Sequence, residues 1–194
     1  PEMPNGRPMD FIFQVVNTGQ QGLPEDIKVL QFYYDWHAGP WSTGDGGWLV
    51  KTYEAVNPDK QLLIERPANL GRAKYCDITF KQIQVLPDWD GIDDVSPEAS
   101  KLSCTLDENE PWTPYQEVTK ELGAEPDFQS LIGGYPKWLQ GNDGPVDDDN
   151  QALPLLFQVD SDVNADITWS DQGLVYVFYN PARKGEYKFI LQSL

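Results

Sequence analysis

The sequence predicts a mainly β fold, α+β only in that one or two short helices accompany the strands, built as a pseudo-symmetric duplicated β architecture. Three observations carry that expectation. First, Phe11-Ile12-Phe13-Gln14-Val15 and Leu155-Leu156-Phe157-Gln158-Val159 read alike, and each precedes an aromatic run, Leu30-Gln31-Phe32-Tyr33-Tyr34 and Tyr176-Val177-Phe178-Tyr179. Order and spacing agree twice, which points to an internal duplication. Second, apolar runs of strand length are separated by glycine and proline, residues that supply turn angles or withhold backbone donors. Third, clear helix punctuation occurs in one place only, after Pro111.

Taken in order, Pro1, Pro4 and Pro8 make an irregular lead-in to a strand from Met9 to Val16. A loop with Gly22 and Pro24 precedes a second strand, Ile27 to Asp35. Runs this apolar suit strands buried on both faces or central in a sandwich. His37 to Trp48 is a long glycine-bearing turn onto which Trp41 and Trp48 are expected to fold back. Strands are then expected at Trp48 to Glu54, at Leu62 to Glu65 and at Tyr75 to Val85. In the last of these Ile78 and Phe80 share a face that Ile83 and Val85 leave, so a bulge is placed near Lys81 and Gln82.

Pro87 to Pro111 reads as an acidic loop. The helix after it has Thr113 as cap, Pro114 in its first turn and Gln116 closing a capping box. Tyr115, Val118 and Leu122 form its expected buried face, Glu117, Lys120 and Glu121 its exposed side, and Gly123 its end. Gly185 closes a turn before a last strand, Glu186 to Gln192, for about eight strands in all. The chain is thus one domain in three parts: a first half over 1–86, an acidic loop with a short helix over 87–130, and a second half over 131–194.

A chain of 194 residues is long enough for one sizeable core. Its 31 acidic and 14 basic residues give a net charge of −17. That balance speaks against nucleic acid, whose phosphates need clustered Lys and Arg, and against an anionic membrane surface. A basic protein partner fits it, since long-range attraction would speed association. No apolar run reaches the about 18 residues of a membrane span, and no basic-then-apolar leader opens the chain, so a cytoplasmic protein is expected. The first residue is Pro1, which is read as a sign of processing or of a fragment. Cys76 and Cys104 lack paired spacing and are expected as reduced thiols.

Candidate sites are few. Asp160, Asp162, Asn164 and Asp166 alternate, and Asp171 completes a spacing close to that of a calcium loop. Ala165 stands where such a loop needs glycine and Asp171 where it needs glutamate, so turn capping is the favoured reading and no metal or other cofactor is expected. His37 is the only histidine, and neither a zinc set nor a nucleophile motif can be assembled around it. The densest negative patches are Asp88, Asp90, Asp93 and Asp94 around Trp89, and Asp147, Asp148 and Asp149. On one face they would form an aromatic anchor rimmed by carboxylates, suited to a Lys- and Arg-rich protein.

Gly133-Gly134-Tyr135-Pro136, Trp138-Leu139-Gln140, the LLFQVDSD strand and the DITWSDQGLVYVFY run resemble the YwqG-like family, a bacterial family of unassigned function related to programmed cell death protein 2. The structural signature this resemblance picks out is Gly133, Gly134, Pro136, Gln158, Asp160, Asp162, Trp169, Asp171 and Gly173. The resemblance implies a fold of two β repeats and no catalytic mechanism. It also implies that the first half should open with its own Gly-Gly-x-Pro segment, which is absent here, as in a shortened member or one read from inside a longer protein. Eukaryotic relatives look like chaperones for a basic ribosomal protein, and bacterial ones are connected with toxin neutralisation. The function expected is therefore non-enzymatic: an immunity-, antitoxin- or chaperone-type domain masking a basic partner, a toxin or a ribosomal-type protein. The alternative is a hydrolase or a carbohydrate- or small-ligand-binding protein, with tryptophans and carboxylates lining a cleft between the halves.

Overall fold

The computed structural model describes residues 1–2, 6–57, 59, 73–124 and 130–194. Among these, seven strands form two antiparallel sheets. The first holds β1 (Asp10–Val16), β2 (Val29–Tyr34) and β3 (Trp48–Tyr53) in that order. The second holds β4 (Leu131–Ile132), β5 (Leu155–Asp160), β6 (Leu174–Tyr179) and β7 (Tyr187–Gln192). Between the sheets lie helices α1 (Ile92–Val95), α2 (Pro97–Leu106) and α3 (Trp112–Glu121) in chain order. The mainly β architecture with few helices is the one expected.

Alternation along β2 sends Leu30, Phe32 and Tyr34 inward, and the second sheet meets them with Phe157, Val175, Val177 and Phe189. Phe32 lies 5.2 Å from Phe157 and 6.4 Å from Phe189, while Tyr34 stands edge-on to Trp169 at 5.0 Å. One aromatic core therefore joins the sheets. Phe13 and Phe157, which occupy like places in the two similar phrases, touch each other at 5.1 Å. The phrases also share a defect: register slips between Phe11 and Phe13 and again between Leu155 and Phe157. One extra residue, Ile12 or Leu156, bulges at the same point of each strand.

Several elements differ from expectation. Residues 73–88 run without ladder pairing, and Tyr75, Ile78 and Phe80 are all exposed, so the expected strand with its bulge does not form there. An apolar alternation without a neighbouring edge to pair with remains a loop. The strand expected at Leu62 to Glu65 lies outside the described residues. The acidic stretch after Pro87 is not loop throughout. Ile92, 1% exposed, anchors α1, and Ser96 accepts from Ala99 N–H to cap α2, with Pro97 at its first position.

Helix α3 starts earlier than its capping signal. Pro111 holds the cap position without a side-chain bond, so Thr113 falls inside the first turn and the capping box does not form. The buried face is rotated accordingly: Val118 and Leu122 are exposed, and Thr119 is buried. Gly123 does end the helix, at φ +64°, with Gly123 N–H on Lys120 O and Ala124 N–H on Thr119 O, a Schellman closure.

Candidate functional site

The second sheet is covered on its outer face by the segment that follows β4. Gly133 and Gly134 turn the chain there at φ +66° and +75°, and a Cβ on Gly134 would stand 2.6 Å from the Val85 side chain. The segment then lies across β6, where Trp138 packs on Tyr176 at 5.0 Å and on Phe178 at 6.0 Å. Its backbone is held by buried amides. Gln158, 1% exposed, accepts from Lys137 N–H, and Gln192 accepts from Leu139 and Gln140 N–H while donating to Gly141 O. Tyr176 OH donates to Lys137 O at 2.6 Å, and burial drives its phenol pKa far upward. The sequence reading missed Gln192 and Tyr176. Their only signal was a polar atom within otherwise apolar strands.

This segment also positions the acidic loops. The Asp88 carboxylate accepts from Trp138 N–H at 2.7 Å and from Gly91 N–H at 3.0 Å, capping the short turn Trp89–Gly91. Burial raises its pKa, although both amides pull the other way. Asp88 is therefore committed within the fold. Trp89 is half-buried against Tyr115, 6.2 Å between rings, whose OH donates to Pro87 O. Asn142 Nδ2 donates to Asp94 Oδ2 at 2.6 Å and so joins the 88–94 loop to the loop that carries Asp143.

Within the second acidic loop the roles divide. Asp147 builds its own turn, accepting from Asp149 and Gln151 N–H, and Asp148 pairs with Arg183. Asp90, Asp93, Asp143 and Asp149 are exposed and form no ion pair among the described residues. Helices α2 and α3 add exposed apolar side chains: Leu102, Leu106, Val118 and Leu122.

The calcium-like run is used for turns. Asp162 Oδ1 accepts from Asn164 and Ala165 N–H, Asp162 and Ile167 exchange both backbone bonds, and Asp166 pairs with Lys74. Asp171 offers its carbonyl to Leu194 N–H, and Asp160 offers its own to the Trp169 indole. Burial raises the Asp160 carboxyl pKa. Among the described residues no three His, Cys, Asp or Glu side chains converge as a metal set would. Trp169 is fully buried and stacks on Trp36 at 4.9 Å. Gly173 is held where a Cβ would meet Gln192 O at 2.5 Å, so no larger residue fits without movement. Pro136 sits half-buried at the entry to the covering segment. His37 is exposed just past β2, and Cys76 and Cys104 are exposed and unpaired.

The tryptophans do not gather in one cleft. Trp48 stacks on Phe189 at 5.3 Å, Trp41 is half-exposed, and the aromatic residues at the seam between the sheets are Tyr53, Tyr179 and Tyr187. No helix among the described residues is long and apolar enough to cross a membrane. The family model described as a domain of unknown function (DUF1963) matches residues 1–186, and none of the curated proteins matches the chain.

Proposed function

The chain belongs to the DUF1963 family, and from that premise we propose that it is a non-enzymatic binding domain whose acidic face masks a basic protein. Within that family we take it for a YwqG-like protein, an immunity-, antitoxin- or chaperone-type member acting in the cytoplasm. The observation that supports this most is the Asn142–Asp94 hydrogen bond, which sets the end of the 88–94 loop beside the segment that carries Asp143. Asp90, Asp93, Asp143 and Asp149, exposed and without an ion pair among the described residues, supply charge, and exposed Leu102, Leu106, Val118 and Leu122 supply apolar surface. That combination suits a protein surface better than a small ligand.

The test is association with a 20-residue polylysine peptide, followed at low and at physiological salt. Reversing Asp90, Asp93 and Asp149 to Lys should slow association about tenfold or more at low salt and leave the melting temperature nearly unchanged. Asp147 and Asp148 are less informative targets, because one builds a turn and the other pairs with Arg183. Equal association by wild type and variant would remove the acidic face from the function.

A further inference from the structure

The β2–β3 turn of the first half lies along β7 of the second. Leu191 N–H donates to Trp41 O at 2.9 Å, Ser42 bridges Ile190, and Thr43 Oγ1 accepts from Phe189 N–H and donates to Phe189 O. The segment that covers the second sheet reaches the same strand at residues 139–141, where Gln192 holds it. Between the turn and residues 140–143 runs a groove of about 500 Å³, with Ile190 in its lining. Trp41 is its aromatic wall, 49% exposed and stacked on no other ring among the described residues.

The polar lining of this groove is one-sided. Asn142 Nδ2 donates to Asp94, Gln140 Nε2 to Ser193 O at 2.6 Å, Gln192 Nε2 to Gly141 O and Ser42 Oγ to Asp45. Apart from the Trp41 indole, the side-chain donors are thus directed at acceptors of the fold. The acceptors are not matched in the same way. Gln140 Oε1 and the Asp143 carboxylate form no hydrogen bond or ion pair among the described residues, whereas Asp148 has Arg183. An open ring face beside unmet acceptors, one of them charged, suits a flat cation with several donors. A sugar hydroxyl both gives and takes hydrogen bonds, and the donors it would need here are committed.

We propose that this groove receives an arginine side chain of the basic partner. The guanidinium lies flat against the Trp41 ring, donates to the Asp143 carboxylate and reaches Gln140 Oε1 with a second N–H. Lysine could answer the carboxylate, but it lacks the planar fork that stacks and donates at once. The site rests on the basic-partner reading and narrows it to one side chain at one place.

Amide NMR of the full chain at low salt, with the peptide acetyl-Gly-Arg-Gly-Arg-Gly-amide, tests the site. The Trp41 indole N–H and the backbone amides of residues 140–143 should shift. Asp143→Asn and Trp41→Ala should each weaken binding about two- to fivefold, and Trp41→Phe should keep part of what Trp41→Ala loses. Citrulline in place of both arginines keeps the plane and removes the charge, and should cost about tenfold. Equal binding of the citrulline peptide would overturn the site. Shifts confined to residues 88–94 and 147–149 would also overturn it and leave the basic-partner reading standing. No shift anywhere overturns the site alone if the polylysine peptide still associates, and both if it does not.

Discussion

The same short phrase, an apolar pair followed by Phe-Gln-Val, sits in two different surroundings. In the second half β5 lies between β4 and β6, and its first four residues are buried. In the first half β1 is an edge strand with one buried residue, Val15. Gln158 is enclosed and holds the covering segment, whereas Gln14 is exposed and, among the described residues, its side chain accepts only from the Gln31 side chain. The outer face of β6 is roofed by Trp138, while the matching face of β2 presents Gln31 and Tyr33, both half-buried, without a comparable roof among the described residues. A strand's sequence sets its inner face and its bulge; its neighbours decide whether the other face is core or surface.

The contrast can be broken by paired substitutions. Phe157→Ala should cost about 4 kcal/mol in denaturant unfolding, the loss expected for a fully buried ring, and Phe13→Ala about half of that. Equal losses would mean that the β1 environment is as closed as that of β5. Next in size, Gln158→Ala strands the Lys137 N–H and should cost about 2 kcal/mol, against about 0.5 or less for Gln14→Ala.

A third comparison uses pH. Burial by itself would raise the Asp35 pKa, but His37 N–H, the Arg7 guanidinium and Ala38 N–H together hold it below the usual carboxylate range. A depressed folded value means stabilisation that is complete above the unfolded value of about 4 and lost as pH falls through the folded one. Asp35→Asn should therefore cost about 1–2 kcal/mol at pH 7, and the gap from wild type should close on acidification below about pH 4. A gap that widens in acid would contradict that account. Asp160, raised by burial, should behave oppositely, with wild type gaining on Asp160→Asn as pH falls toward 4.

Strands were legible where apolar runs met an edge to pair with: β1, β2, β3 and β7 fall within the expected segments, while β5 runs one residue past Val159 and β6 starts two residues before Tyr176. Tyr75 to Val85 carries similar residues but has no ladder, because pairing depends on residues far away in sequence. Helix α2 begins at Ser96-Pro97-Glu98, a cap and first-turn pattern that was passed over within an acidic stretch read as loop. At the acidic loops the residue types were legible but not their division of labour. Composition cannot tell that Asp88 is spent on two backbone amides while Asp93 is free to face solvent.

Thr43 closes its two hydrogen bonds on a residue 146 positions later, in the last strand of the chain. Loop-closure entropy must be met before that contact contributes anything, so the edge of β7 is completed late and the chain belongs with slow folders. During synthesis the first sheet emerges long before its aromatic partners Phe157 and Phe189, with Phe32 and Tyr34 exposed in the interval.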